Sequence, residues 1–286
     1  IFSCFSTDLS CFLLTTGNLI SFNKINAMRK LLIIVIVLLT ISSHAQELYS
    51  FTEPASNMAA GSIGLRVDNS IMKELNSSKI NYHLIPEIRI GISKKLMIMG
   101  NFFFSNRNEQ FKAEGGSIYA KYRFLSNDAV QRHFRMAVFG TISFNNSDIH
   151  QEEINLYGHN TGFEAGIVAT QLLRKVALSS TISLVKVFDN GNNNKYEYGS
   201  KNSRAINYSF SVGKLMLPGE YRNYRQTNVN LMLETLGQFN TGSGKYYLDI
   251  APVIQLIFNS ESRIDFGFRK QVSSNLIRTA PNGFFI

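Results

Sequence analysis

From Ser62 to its end the chain alternates polar and apolar residues at a period of two, segment after segment. That period belongs to extended backbone, whose successive side chains point to opposite faces; a helix cannot keep it. In Gly115–Phe124, Ser117, Tyr119, Lys121 and Arg123 share one face, and Ile118, Ala120, Tyr122 and Phe124 the other. Ala205–Leu215 sets Ile206, Tyr208, Phe210 and Val212 against Asn207, Ser209, Ser211 and Gly213. Ser262–Val272 sets Ile264, Phe266 and Phe268 against Arg263, Asp265, Gly267 and Arg269. The pattern predicts strands near 62–67, 80–91, 96–104, 115–124, 134–145, 161–172, 176–188, 204–216, 226–237, 245–258, 262–272 and from 282 onward. Most have about nine to thirteen residues, the length a tilted strand needs to cross a bilayer.

The connections sharpen this expectation. Ile92–Lys95, Leu173–Lys175 and Asn259–Glu261 are tight, and Leu125–His133 and Leu217–Arg225 are moderate. Asp68–Lys79, Ser105–Glu114, Asn146–Asn160 and Asp189–Ser203 are long and polar. Short turns at one end and long loops at the other mark an outer-membrane barrel, with periplasmic turns and loops that all fall outside. Alternation alone also suits a β-sandwich or a lipocalin-like barrel. The aromatics favour the membrane: Tyr82, Tyr122, Phe124, Phe134, Phe144, Phe163, Phe188, Tyr208, Phe210, Phe266 and Phe268 lie in the apolar phase, many near strand ends, as girdles do. The expected fold is all-β, a transmembrane antiparallel up-and-down β-barrel of about twelve strands over residues 62–286. With 44% apolar and 17% charged residues the chain is too apolar for disorder. Its longest apolar run, about a dozen residues, is too short for a membrane helix, which excludes a polytopic helical protein.

Ahead of the strands, Met28-Arg29-Lys30 leads into the apolar run Leu31–Ile41, and Ser43-His44-Ala45 follows. Basic region, short apolar region and small residues, in that order, predict a secretory signal peptide over 28–45, with Gln46 as the new N-terminus. Residues 1–27 are then expected to be an upstream non-native extension, and 46–61 an irregular N-terminal lead. Cys4 and Cys11 both precede Gln46, so a disulfide scaffold is excluded. Of 29 basic and 20 acidic residues, Lys24, Arg29, Lys30 and Asp8 fall before Gln46, leaving +7 on the remainder. Export argues against nucleic acid as the reason for that charge. The expected partners are outer-membrane lipid, the barrel-assembly machinery during insertion, and small solutes.

The signal peptide, the Gln46-Glu47-Leu48 start, the Glu53-Pro54-Ala55-Ser56-Asn57-Met58 segment and the run of strands resemble outer-membrane β-barrel proteins of the Bacteroidetes type, described as porin- or transporter-like. The resemblance covers nearly all of the chain after Gln46. It implies a bacterial outer-membrane location; it names no substrate and brings no catalytic motif. Such barrels usually end in a strand with a C-terminal aromatic that the assembly machinery reads. This chain ends at Gly283-Phe284-Phe285-Ile286, a few residues into the twelfth segment. A truncated last strand and an unpaired seam are therefore expected, and an open seam is costly in lipid.

In such a barrel the polar phase faces the lumen. That places His83, Glu87, Arg89, Lys121, Arg123, Arg135, Glu164, Glu234, Asp249, Arg263, Asp265 and Arg269 along its wall. One reading is a narrow hydrated pore selecting solutes at a mixed-charge constriction around Arg89, Arg123, Glu164 and Asp265. Another is a set of ion pairs that tie the wall and largely close the bore. A third uses the lead as a plug, with Met97, Met99, Phe103 and Met232 lining an apolar route. Twelve-stranded barrels include a lipid-cleaving phospholipase, whose chemistry needs Ser and His together on the lipid side. Ser180 lies in that phase without a His, so no catalytic residue is expected. In the 146–160 loop, Asp148, His150, Glu152, Glu153 and His159 are ligand types, but their spacing matches no known metal cage. Gly191 sits in an Asn-rich turn rather than a phosphate loop. No metal and no cofactor are expected. The expected function is a non-catalytic channel or transporter for small hydrophilic solutes. The alternative is an occluded structural or surface-interaction barrel acting through its extracellular loops.

Overall fold

The computed structural model describes residues 49–74, 79–107, 110–149, 151–191, 203–219, 226–259 and 262–286. The expected extension and signal peptide lie outside the described residues. Among the described residues twelve antiparallel strands run in chain order: β1 (Ile63–Lys73), β2 (Ile80–Gly91), β3 (Leu96–Ser105), β4 (Lys112–Ala129), β5 (Arg132–Asn145) and β6 (Thr161–Leu173), then β7 (Val176–Phe188), β8 (Arg204–Leu217), β9 (Asn228–Asn240), β10 (Tyr246–Phe258), β11 (Ser262–Ser274) and β12 (Gly283–Phe285). Each pairs with its chain neighbours, and β12 pairs with β1, so the sheet is a closed up-and-down barrel. Closure at the seam rests on the three residues of β12, and among the described residues β1 before Asn69 and β11 before Gly267 have no ladder partner on that side.

The two-residue period becomes an inside and an outside. Along β2, Asn81, His83, Ile85, Glu87 and Arg89 are buried, while the residues between them are half-buried or exposed. The outward face is apolar without being covered: Leu65, Ile118, Phe144, Ile182, Leu184 and Phe210 are each at least half exposed. Outward aromatics meet near the end that bears the long connections. Phe163 and Phe188 lie 6.0 Å apart, and Phe111 lies 6.1 Å from Tyr82 and 6.0 Å from Phe104.

Three expectations are corrected. β1 continues through Asp68, Asn69 and Ser70 to Lys73, where a polar loop is expected from Asp68. These residues keep the alternation, with Ser70 opposite His83 and Asp68 opposite Ile85 in the ladder with β2. β4 and β5 run on until only Val130 and Gln131 separate them, with Gln131 at φ 59° supplying the turn. The seam, expected to be open, is paired over the three residues of a short β12 and no further. Phe284 stands between Ile71 of β1 and Phe268 of β11 in both ladders, and Asn69 and Ile286 exchange backbone hydrogen bonds at 2.8 and 2.9 Å. Three residues of β12 thus join β1 to β11.

Candidate functional site: a chamber inside the barrel

The lumen is occupied from two directions. From the end with the short turns, residues 49–61 cross the interior before the chain rises into β1. This lead has no ladder, so its backbone groups need other partners. The wall supplies them. The Glu234 carboxylate of β9 accepts from the amides of Ser50 (2.8 Å), Phe51 (3.1 Å) and Thr52 (2.9 Å) and from the Thr52 hydroxyl (2.8 Å). Thr170 accepts from the Ala55 amide at 2.9 Å, and Lys121 donates to the Pro54 carbonyl at 2.6 Å. Arg89 pairs with Glu53 at 2.7 Å, Ser50 donates to Asp265 at 2.8 Å, and Arg135 donates to Ser56 at 3.1 Å. Between these polar anchors, apolar side chains dock on inward wall residues. Tyr49 packs on Ala177, Met232 and Val253, and Met58 on Met97, Met99 and Tyr119. Where the lead leaves the lumen, the Ala59 carbonyl passes so close to β2 that a Cβ on Gly91 would stand 2.1 Å from it. Only glycine permits that approach.

From the opposite end the β5–β6 connection, residues 146–160, folds back into the barrel. It is expected to stand outside as a polar loop; its apolar residues give the reason that it does not. Ile149, Ile154 and Leu156 bury against Val185, Val187 and Ala205 of the wall. Gln238 fastens the Ile154 backbone, accepting from its amide at 2.9 Å and donating to its carbonyl at 2.7 Å. Glu153 meets Arg278 at 2.6 Å and Arg269 at 3.2 Å, and both guanidiniums also hold Asp249 at 2.7 Å. Arg278 lies 4.1 Å from the centre of the Tyr247 ring. Tyr157 donates to Glu87 at 3.1 Å, and the His159 ring stacks on His83 at 5.1 Å. Arg107 donates to His159 Nδ1 at 2.5 Å and to the Gly158 carbonyl at 2.6 Å.

Burial would raise Glu153, but Arg278 and Arg269 outweigh it and hold the carboxyl below its ordinary value of 4.5. Burial, with Arg107 and His83 adding to it, holds His159 well below 6.5. Burial first, then Glu87 and Asp68, keep the Tyr157 hydroxyl protonated. Two of the metal-ligand types in this loop are thus engaged by cations, Glu153 as above and Glu152 by Lys245 at 2.6 Å. His150 lies outside the described residues.

Between lead and loop remains a chamber of about 340 Å³. The lead contributes Ser50–Glu53, the loop Glu153–Tyr157 and His159, and the wall includes Arg66, Glu87, Arg89, Tyr119, Phe139, Glu164 and Arg269. A smaller space of about 70 Å³ lies nearer the loop end, beside His83, Arg107, His159 and Arg278.

The twelve expected lumen residues all lie in the inward phase, but they do not form one ring. His83, Glu87, Arg89, Glu164 and Arg269 line the chamber. Lys121, Arg135, Glu234 and Asp265 hold the lead, and Asp249 works with Arg269 beneath the loop. Arg263 stands beside Asp265 at 3.6 Å. Arg123 bonds the Lys94 carbonyl at the turn end, so the constriction expected from Arg89, Arg123, Glu164 and Asp265 is not assembled. Met97, Met99, Phe103 and Met232 are inward and buried, three of them packed by the lead. Sequence reasoning missed Arg66 and Asp68, which pair at 2.6 Å and alternate with outward Leu65 and Val67. It also missed Glu53, Arg107, Tyr157 and Arg278, which lie where no strand period applies.

Compared with models of known families and with curated proteins, the chain matches none.

Proposed function

We propose that the protein is an outer-membrane β-barrel whose route for small hydrophilic solutes is closed at rest and opens when the N-terminal lead leaves the lumen. The uncovered apolar exterior supports the membrane setting, because a water-soluble barrel rarely exposes so continuous an apolar surface. Among the described residues no helix is long and apolar enough to cross a membrane, so a crossing would be made by strands. The observation that carries the gate is the lead's attachment. It is fixed inside by polar anchors, chiefly Glu234, rather than by a ladder. Such an element can come out as a unit and leave the barrel's own hydrogen bonds intact.

A reversible lock tests this. Ala55→Cys and Thr170→Cys, placed where the Ala55 amide meets the Thr170 hydroxyl at 2.9 Å, would tie lead to wall in a chain with Cys4 and Cys11 changed to Ser. In planar bilayers, conductance steps are expected under reducing conditions and none when the lock is oxidised. A folded barrel that conducts in neither state would overturn the gate and favour the occluded, surface-acting alternative. Equal conductance in both states would show a route that bypasses the lead.

A further inference from the structure

We propose that the chamber binds a small organic cation, an alkyl- or arylammonium, with Glu164 as its counter-charge. This deepens the reading above and takes its biological meaning from it, although binding itself is measured without any conduction.

Four of the five carboxylates that line the chamber already face a cation. Asp68 meets Arg66 at 2.6 Å, and Glu87 pairs with Arg89. Glu53 meets Arg89 at 2.7 Å, and Glu153 meets Arg269 at 3.2 Å. Glu164 differs. Its partners among the described residues are neutral, Ser183 and Asn207 (3.0 Å for the latter), and both donate to Oε1. Glu164 is half-buried on the chamber wall, and a carboxylate held in a protein interior without a counter-charge costs free energy that a bound cation relieves.

A second observation points the same way. Tyr119 lines the same chamber and is only 8% exposed, yet among the described residues its hydroxyl has no partner; nor does that of Thr181, also in the lining. Buried hydroxyls are ordinarily satisfied. Two spare hydroxyl oxygens and a free carboxylate oxygen suit the several N–H donors of an ammonium group. The ladders bring the groups together: Tyr119 stands opposite Thr141, and Thr141 opposite Glu164. The Tyr119 and Phe139 rings stack at 5.4 Å. Phe139 reaches over Gly166, the next inward residue after Glu164, where a Cβ would stand 2.7 Å from the ring and 2.5 Å from Ser183. Aromatic faces beside a carboxylate favour an organic cation over a hydrated metal ion. Phe51, Met99, Leu236 and Phe285 offer apolar surface to the rest of the ligand. The volume lies at the lower end of the roughly 300–1,000 Å³ typical of small-molecule sites, which sets the ligand's size.

The test uses three probes of one shape and different charge: phenethylammonium, 2-phenylethanol and 3-phenylpropionate. The full chain is folded into detergent micelles with each probe present, so access to the chamber does not limit binding, and affinity is read by calorimetry or ligand-observed NMR. Phenethylammonium is expected to bind about 10- to 100-fold more tightly than the alcohol, as a charge-assisted hydrogen bond implies, and the propionate least. Glu164→Gln should bring the amine and the alcohol to within about threefold of each other. Tyr119→Phe should weaken the amine more than the alcohol, and it decides the matter if the Gln variant does not fold. Equal affinity for the three probes, no binding by any of them, or a preference that survives Glu164→Gln would overturn the proposal. A barrel that binds the amine and never conducts would overturn the gate alone. One that conducts on release of the lead, with no preference for the amine, would overturn the cation site alone.

Discussion

Glu234 concentrates the attachment of the lead in one side chain. It is fully buried, and three consecutive backbone amides and a hydroxyl point at its two oxygens. Bonds to an ionised acceptor are each worth about 1.5–3 kcal/mol, and donors stranded by its loss add a desolvation cost. Glu234→Ala should therefore loosen the lead by about 3 kcal/mol, which is about 100-fold in the docking equilibrium. Amide hydrogen exchange at Ser50, Phe51 and Thr52 should rise by that factor while the strands keep their protection. Unchanged exchange at these amides would show that the apolar packing of Tyr49 and Met58 holds the lead alone. Gly91→Val acts at the other end of the segment, where the Ala59 carbonyl leaves no room for a Cβ. Proteinase K should then cut between residues 49 and 61 in the folded barrel, and resistance equal to wild type would refute that steric argument. The inward direction of Glu234 is legible in the sequence, because it shares the polar phase of its strand. Its partner is not, because the lead has no period and its amides carry no side-chain signal.

At the scale of elements, the docked 146–160 loop carries a pH dependence whose sign follows from its buried groups. His159 accepts a hydrogen bond from Arg107 at Nδ1, faces His83, and lies near Gln151, so a proton there meets a guanidinium rather than a carboxylate. Its affinity for protons is depressed when docked and ordinary, near 6.5, when released. Below 6.5 the released loop binds more protons than the docked one, so docking weakens as the pH falls, by up to about tenfold per unit. Glu153 is likewise depressed, but its contribution stays complete until the pH falls through 4.5 and is lost only below that. Loop release measured between pH 6.5 and 4.5 should therefore follow His159, and His159→Gln should flatten that interval. Arg278→Ala should undock the loop at neutral pH by about 3–5 kcal/mol, because Glu153 and Asp249 then share Arg269 alone. A fluorophore on the loop reads both effects, and a pH response that survives His159→Gln would reassign it to another group. The existence and order of the strands are legible in the sequence, because each exposes one face and buries the other, but the ends of β1 and β4 are not. The end of β1 is hidden because Asp68-Asn69-Ser70 has the composition of a turn, although Asp68 and Ser70 hold the inward phase. The loop's inward fold rests on Ile149, Ile154 and Leu156, three apolar residues in a polar stretch, which only the barrel wall gives a reason to bury.

For the whole molecule, the decisive question is what solvent the outer surface meets. Ile182 lies midway along β7 and is 58% exposed, and Phe188 ends the same strand at 46% exposure. If the belt faces lipid, a charge at mid-strand must be buried in hydrocarbon, while one at the end can reach the interface. Ile182→Arg should then cost about 2–4 kcal/mol in reversible unfolding from phospholipid vesicles, and Phe188→Arg about 0–1 kcal/mol. If the belt faces water, both substitutions fall within about 0.5 kcal/mol of wild type, as exposed positions do. The gradient between the two sites carries more information than either value, because it cancels the loss of side-chain packing common to both. The same gradient bears on the gate. Only a barrel whose wall is held by lipid and closed ladders can release its lead and keep its shape, since the lead's buried residues otherwise form much of its interior. A flat response along β7 would thus remove the membrane setting and, with it, the reason for the lead to come out.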